Sequence, residues 1–166
     1  MAQASIEIHT KDVSGVPYIP FKGDAQHLFI VYIDSTGKKT ALRGGPETNN
    51  PINAFIGDIK ITNDNYNENH VDWSPNAPKI EIASGTDAEM QALVDKMWAK
   101  AEAINREGFD YKLPLIGHVQ NSNAAVKEMI KAAGLEPKLP KHHDGKKIWA
   151  PGVDGHFTHT FMDTYR

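Results

Sequence analysis

His27–Ile33, with the sequence HLFIVYI, is the segment that decides the fold. Nearly every residue after the histidine is β-branched or aromatic, and both faces of the extended segment are apolar, a pattern typical of a buried strand. Asp34–Lys38 (DSTGK) has the composition of a turn, and Lys39–Arg43 can return beside the first segment. A Gly-Gly-Pro run then ends the second arm. The sequence therefore predicts a hairpin whose first strand lies at the centre of a sheet.

The register of this hairpin decides which side chains accompany His27, because successive residues of a strand point to opposite faces. With a four-residue turn, Thr40 and Leu42 share the His27 face. A shift of one residue places Ala41 and Arg43 there instead. Both registers remain open from the sequence.

Shorter patterns predict the remaining strands. Ile6 and Ile8 alternate with polar residues and indicate a short edge strand, and further strands are predicted at 54–62, 79–83 and 156–161. The polar tract 63–70 lacks the glycine that a calcium-binding loop needs at its sixth position, which favours an exposed turn. Together these segments predict an antiparallel sheet of about four to six strands.

Two helices complete the expected fold. Thr86 and Glu89 form a capping box, and the helix that follows carries an apolar stripe at helical spacing and ends near Gly108. The stripe consists of Met90, Leu93, Val94, Met97, Trp98, Ala101 and Ile104, and is predicted to be core. A second, shorter helix begins at the polar tetrapeptide 120–123 and stops at Gly134. The fold class is α+β, with residues 1–166 as a single domain.

Composition narrows the classes of function. The 18 Lys and Arg are scattered among 21 Asp and Glu, which argues against binding to a nucleic-acid backbone. The chain has no cysteine, so disulfides, thiolate metal sites and a cysteine nucleophile are excluded for this sequence. The N-terminal segment lacks the features of a secretory signal, and no apolar run is long enough for a transmembrane helix. We expect a cytoplasmic protein, or one exported by a route that reads no N-terminal signal.

Ser122 and His27 are the candidate catalytic pair. Ser122 lies at the start of the second helix, where backbone N–H groups are unpaired and the helix dipole is positive. That position suits a nucleophile, and it equally suits an ordinary capping residue. A serine nucleophile needs a base, and His27, at the mouth of the buried strand, is the histidine held most rigidly. The alternative for His27 is a structural residue at a strand end.

A metal site is a competing interpretation. His142, His143 and Asp144 are adjacent, and His156 is followed three residues later by His159. Two residues three apart on a strand face opposite sides, and the HExxH motif is absent, so solvated loop histidines are favoured over zinc ligands. We therefore predict no metal and no cofactor.

The order of motifs resembles the circularly permuted papain-like superfamily. The matching stretches are a histidine-bearing strand, turn and second strand at 27–45, followed by Tyr111-Lys112-Leu113, Asn121-Ser122-Asn123 and Ala133-Gly134-Leu135. The superfamily includes peptidoglycan amidases and endopeptidases and enzymes like lecithin retinol acyltransferase. The resemblance implies acyl-transfer chemistry on a permuted papain-like fold.

The resemblance also implies roles for individual residues. Ser122 is the expected nucleophile and His27 the general base, with the Ser122 backbone N–H and Gln120 as expected oxyanion donors. Asn121 and Asn123 are the other expected substrate-binding or oxyanion residues. His118 is a further candidate only because it is close in sequence to Ser122, and an ordinary loop position is the equal alternative. The group that orients His27 is not identified; Asp58 and Asp72 are candidates if the third strand or the loop after it lies beside the first.

Serine stands where the superfamily usually has cysteine, and three interpretations remain open: a native serine hydrolase, a serine introduced for a native cysteine, or a degenerate site that only binds. The leading substrate is an amide bond in peptidoglycan, as in antibacterial effectors delivered without a signal peptide, which would imply an inhibitor (immunity) protein as partner. A lipid ester is the second choice. A catalytically silent binding module on the same fold, or an unrelated α+β domain, is the alternative.

Overall fold

The computed structural model describes residues 2–12, 26–46, 59–108 and 122–150. These residues form a five-stranded antiparallel sheet and two helices, which confirms the predicted α+β class. The sheet order is β4-β3-β2-β1-β5. The elements are β1 (Ala4–Asp12), β2 (Gln26–Ile33), β3 (Lys39–Pro46), β4 (Ile59–Asn65), β5 (Lys79–Gly85), α1 (Asp87–Glu107) and α2 (Ser122–Ala132).

The central hairpin forms as predicted, and its turn fixes the register. Asp34 accepts hydrogen bonds from the backbone N–H groups of Thr36 and Lys38, and Gly37 adopts a left-handed conformation with φ of 88°. The turn therefore spans five residues, and Ile33 lies opposite Lys39. This is the shifted register, which places Ala41 and Arg43 on the face of the sheet that carries His27.

β1 is longer and more central than the sequence indicated. Ile6 and Ile8 belong to a nine-residue strand that pairs with β2 on one side and with β5 on the other. The prediction of an edge strand was wrong, because β5 returns across the sheet to pair with β1 and buries both isoleucines. Such long-range pairing leaves no local mark in the sequence.

The third strand also ends later than expected. β4 runs to Asn65, and Tyr66, the next residue, is 4% exposed. Part of the predicted exposed turn is therefore strand and core, whereas residues 67–70 form turns as expected. β5 confirms the strand predicted at 79–83. Residues 54–58 and the strand predicted at 156–161 lie outside the described residues.

Both helices cover one face of the sheet. α1 begins at the predicted capping box of Thr86 and Glu89 and ends at Gly108 in the left-handed conformation. Five residues of its predicted stripe are buried, and Leu93 and Trp98 pack at the edge of the core. Side chains of α2 join Leu28 and Ile30 of β2 in the same core. None of the described helices has the length and apolar character needed to cross a membrane.

The opposite face carries a smaller aromatic cluster. Phe29, Val31 and Ala41 project from the strands and pack against Tyr66, with Trp73 at the margin. Tyr66 and Trp73 belong to the irregular segment between β4 and β5. The cluster therefore holds that segment, residues 66–78, over the end of β2 where His27 lies.

Candidate active site

Ser122 and His27 meet at the junction of α2 and β2. α2 begins at Ser122, and packing of the helix on β2 and β3 brings its first residue to the start of β2. The Ser122 Oγ lies 2.9 Å from His27 Nδ1. Both residues are largely buried, with 4% and 8% of their surface exposed. The pair is therefore at the hydrogen-bonding distance that proton transfer requires.

Asn123 fixes this junction. Its side-chain oxygen accepts a hydrogen bond of 2.8 Å from the Leu28 N–H, and its side-chain N–H group donates one of 3.0 Å to the Gln26 carbonyl. These two backbone groups flank His27 on either side. We expected Asn123 among the substrate-binding or oxyanion residues, but its amide is engaged with the backbone of β2. Asn123 thus positions His27 relative to the neighbouring Ser122.

Gly44 allows the helix to approach the sheet. A Cβ atom at Gly44 would lie 3.2 Å from the Ser122 Cα and 3.5 Å from the Ala125 Cβ. The first contact is tighter than most real Cβ contacts and would require a shift of a few tenths of an ångström between β3 and the start of α2, whereas the second is an ordinary van der Waals contact. Gly44, within β3, therefore allows Ser122 to lie this close to the strand.

Asp72 supplies the group that the sequence left unidentified. Its Oδ2 lies 3.2 Å from His27 Nε2, and the same oxygen accepts a hydrogen bond from Arg43 Nε. The carboxylate is 3% exposed. Asp58, the other candidate, lies outside the described residues.

The ionisation state of Asp72 follows from its partners. Burial raises its pKa, but the hydrogen bond and charge of His27 and the Arg43 guanidinium together outweigh that effect and hold the pKa well below its usual range. Asp72 is therefore ionised at neutral pH and only accepts hydrogen bonds.

This ionisation assigns the proton on the imidazole. Because the Asp72 carboxylate can only accept, His27 Nε2 donates to it, and in the neutral ring Nδ1 is left as an acceptor. The Ser122 hydroxyl then donates to Nδ1. The ring is turned end for end relative to chymotrypsin-type proteases, where Nε2 faces the serine. In either orientation of the ring, one nitrogen accepts from the serine hydroxyl and the other donates to the carboxylate that holds the ring in place.

The segment that carries Asp72 is anchored at several points. The Asp72 N–H donates a 3.0 Å hydrogen bond to His70 Nδ1, and the Ser74 hydroxyl donates to the Asp72 carbonyl at 3.0 Å. His70 lies over Phe29 with ring centroids 6.4 Å apart, and Phe29 in turn stacks on His27 at 6.0 Å. Burial lowers the pKa of His70, which favours the neutral ring that can accept from Asp72.

The other predicted site residues lie outside the described part of the chain, or belong to the alternative hypothesis of a metal site. Gln120, Asn121 and His118 lie outside the described residues, as do His156 and His159. Within the described ranges, no group of three or more His, Cys, Asp or Glu residues is arranged to hold a metal ion. His143 instead contacts the Asn76 carbonyl through Nε2 at 3.2 Å.

Two residues of the site were missed by sequence reasoning. Arg43 was named only as one outcome of the hairpin register, and His70 only as part of a turn.

Comparison of the chain with models of protein families, with curated proteins and with solved structures finds no match.

Proposed function

We propose that the protein is a hydrolase or acyltransferase that uses Ser122 as nucleophile, His27 as general base and Asp72 as the orienting carboxylate. The observation that carries this proposal is the continuous hydrogen-bonded chain from Ser122 Oγ through both nitrogens of His27 to Asp72. A serine next to a base, with the base oriented by a third group, is the arrangement that activates a hydroxyl for acyl transfer.

The reaction follows from these atoms. Ser122 Oγ attacks the substrate carbonyl while His27 Nδ1 takes the hydroxyl proton, and the imidazolium is stabilised by the Asp72 carboxylate. The negative oxygen of the tetrahedral intermediate lies near the N-terminus of α2, where the positive end of the helix dipole stabilises negative charge. Collapse of the intermediate transfers the proton from His27 to the leaving group and leaves an acyl-serine. Attack of water, or of another acceptor, then releases the acyl group by the same steps in reverse.

A binding module without catalytic activity would not need Ser122 and His27 at hydrogen-bonding distance from each other. That alternative predicts a Ser122 oxygen well beyond about 4–5 Å from both His27 ring nitrogens, too far for general base catalysis. The observed separation of 2.9 Å favours catalysis. The same hydroxyl-to-nitrogen distance argues against a degenerate site, and it fits a native serine nucleophile and a serine introduced for a native cysteine equally well.

For the substrate, we propose an amide bond in peptidoglycan, as expected of an antibacterial effector with a cognate inhibitor protein. The support is the resemblance to the permuted papain-like superfamily, together with the pairing of β2 with β3 and the packing of α2 on that hairpin. A lipid ester is the second choice, since the superfamily also contains lipid acyltransferases.

The class of reaction is tested without knowing the substrate. A fluorophosphonate probe should label Ser122 in the unaltered protein, and His27→Ala and Ser122→Ala should abolish the labelling. Peptide mapping by mass spectrometry locates the adduct. A folded protein that does not react at Ser122, or whose labelling is insensitive to His27→Ala, would overturn the catalytic assignment.

The substrate is tested separately. The unaltered protein and Ser122→Cys are incubated with purified peptidoglycan and with phospholipid vesicles, with His27→Ala as control, and the products are identified by mass spectrometry. New amine and carboxyl ends in the peptidoglycan fragments are the expected result. Release of fatty acid with intact peptidoglycan would instead establish the lipid alternative.

A further inference from the structure

A cavity of about 340 Å³ lies on the face of the sheet that the helices cover, at the end remote from the catalytic pair. It is lined from the sheet by two cross-strand pairs, Tyr32 opposite Thr40 and Leu42 opposite Asn63. Tyr32 is five residues along β2 from His27, a distance of about 17 Å, and an odd separation puts the two side chains on opposite faces. The cavity is therefore separate from the proposed active site.

The cavity forms because the apolar face of the sheet ends in short polar side chains. Ile61 of β4 is buried in the core with the helices, whereas Asn63, the next residue on that face, is exposed. Thr40 ends the same face of β3 in the same way, beyond the buried Leu42. Leu42 and Val94 of α1 are both buried, and they form an apolar floor beneath the two polar side chains.

Two walls of the cavity are fixed to each other by hydrogen bonds. Asp87, Gln91 and Val94 line it from α1 and stand at helical positions i, i+4 and i+7, so they share one face of the helix. The Asp87 carboxylate accepts hydrogen bonds from both the N–H, at 2.8 Å, and the hydroxyl of Ser35 in the hairpin turn. The turn and α1 are thereby held in place before any ligand arrives, which lowers the entropy cost of binding.

Several polar groups at the rim are open to a ligand. The Thr40 hydroxyl, the Asn63 amide and the side-chain ammonium group of Lys38 make no hydrogen bond with residues 2–12, 26–46, 59–108 or 122–150. Gln91 donates to Asp95 at 2.9 Å through its amide nitrogen, which leaves its carbonyl oxygen open. These groups come from β3, β4, α1 and the hairpin turn. They surround the apolar floor on several sides, and such convergent polar groups orient a small ligand in a pocket.

The charges and chemistry of the lining favour a neutral ligand with many hydroxyl groups. Asp34 and Asp87 repel an anion, and Lys38 opposes a cation. Hydroxyl and amide side chains both donate and accept hydrogen bonds, as the hydroxyl groups of a sugar do. A pyranose ring presents C–H groups on its faces and hydroxyl groups around its circumference, which matches an apolar floor within a polar rim. A volume of about 340 Å³ also lies within the range of small-ligand sites.

We propose that this cavity binds a single neutral sugar ring, with one face of the ring on the apolar floor and its hydroxyl groups on Thr40, Asn63 and Gln91. The site is independent of the proposed reaction at Ser122, so either assignment can fail without the other. It adds carbohydrate binding to the proposed acyl transfer.

An NMR titration of the unaltered, isotope-labelled protein tests the site. The probes are methyl β-glucopyranoside and methyl N-acetyl-β-glucosaminide. We expect at least one of them to shift the backbone amide signals of residues 34–40, the end of β4 and the first turns of α1, with a dissociation constant in the low millimolar range. Cyclohexanol, a six-membered ring with one hydroxyl group, should bind at least about 10-fold more weakly because it cannot use the polar rim. Alanine, a small zwitterion, should not bind.

Variants at the rim then locate the binding. Asn63→Ala and Gln91→Ala should each weaken binding of the sugar by roughly 3- to 10-fold, the effect of one lost hydrogen bond. Both residues are exposed, so neither substitution disturbs the core. Asn69→Ala removes the same side chain from an exposed position in the turns after β4, and it should leave the dissociation constant unchanged.

Four results would overturn the sugar site: no shift by either sugar at up to about 50 mM, shifts confined to other parts of the chain, binding of cyclohexanol or alanine as tight as that of the sugar, or an affinity that neither Asn63→Ala nor Gln91→Ala lowers. Fluorophosphonate labelling of Ser122 would still stand in each case. Absence of labelling with intact sugar binding would instead overturn the catalytic function alone.

Discussion

Asn123→Ala tests whether the amide of this residue holds the catalytic pair together. The substitution removes two hydrogen bonds, one of 2.8 Å from the Leu28 N–H and one of 3.0 Å to the Gln26 carbonyl, both in the interior. Leu28 is fully buried and Gln26 nearly so. A buried N–H left without its partner costs about 1–3 kcal/mol and the loss of a further hydrogen bond about 0.5–1.5 kcal/mol, so the free energy of unfolding should fall by about 2–5 kcal/mol. For a chain of this size the melting temperature should fall by roughly 5–20 °C.

The same substitution should also affect the chemistry. Since the two backbone groups that lose the Asn123 amide flank His27, the ring loses its fixed distance from Ser122, and a misplacement of about 1 Å can reduce a rate about 100-fold. We expect fluorophosphonate labelling of Ser122 to slow by about 10- to 100-fold. Labelling is measured well below the melting temperature, and stability is measured by urea unfolding followed by circular dichroism.

Asn105→Ala provides a matched control. Asn105 makes the same pair of bonds from α1 to β4, accepting from the Ile61 N–H at 2.8 Å and donating to the Ile61 carbonyl at 2.9 Å. We expect a destabilisation of similar size with unchanged labelling of the folded protein. Equal loss of labelling in both variants would refute the argument. So would an Asn123→Ala protein whose free energy of unfolding lies within about 0.5 kcal/mol of the unaltered protein, because ordinary surface substitutions change stability by that much.

Three further substitutions probe the surroundings of the site. Gly44→Ala should slow labelling of Ser122 by roughly 3- to 5-fold, because its Cβ would lie 3.2 Å from the Ser122 Cα and shift the start of α2 by a few tenths of an ångström; a crystal structure with an unmoved α2 would contradict this. Asp72→Asn should slow phosphonylation of Ser122 by the fluorophosphonate probe by up to about 10⁴-fold, measured as the labelling rate of the folded protein. Because the pKa of Asp72 is lowered on folding, its contribution to stability is present above about pH 4 and is lost as the pH falls further; the same variant should lose this part of the acid dependence in urea titrations. His70→Gln should flatten the decline in stability as the pH falls through about 6.5, since the lowered pKa of His70 makes its protonation favour the unfolded chain; an unchanged pH profile would contradict the assignment.

Local patterns were sufficient for the elements that depend on local interactions. The hairpin around Gly37 and the capped helix that begins after Thr86 both formed where the sequence indicated, because turn and capping chemistry act within a few residues. The central position of β1 could not be predicted in this way. It depends on β5, about 75 residues further along the chain, and antiparallel pairing at that separation follows from the whole sheet.

The order of motifs in the sequence predicted that Ser122 and His27 form a catalytic pair. No comparable pattern marked Asp72 as their third member. That residue lies in an irregular segment whose position depends on the aromatic cluster beneath it, so neither strand alternation nor helical spacing marks it. A signal did exist for its partner Arg43. Asp34 accepts from two backbone N–H groups of the turn and Gly37 supplies the left-handed residue, which together define a five-residue connection.

That turn length selects the register and, with it, the site. With five residues in the turn, Ile33 pairs with Lys39, and Arg43 emerges on the His27 face beside the oxygen of Asp72. With four residues, Arg43 would point to the helical face, and the Asp72 carboxylate would contact His27 without the Arg43 guanidinium beside it. Deleting one turn residue, as in a Thr36 deletion, should therefore abolish Ser122 labelling if it enforces the shorter turn, although Thr36 itself is exposed and remote from the triad. Retention of full labelling, with the hairpin register shown by NMR to have shifted, would refute a role for Arg43 in supporting Asp72.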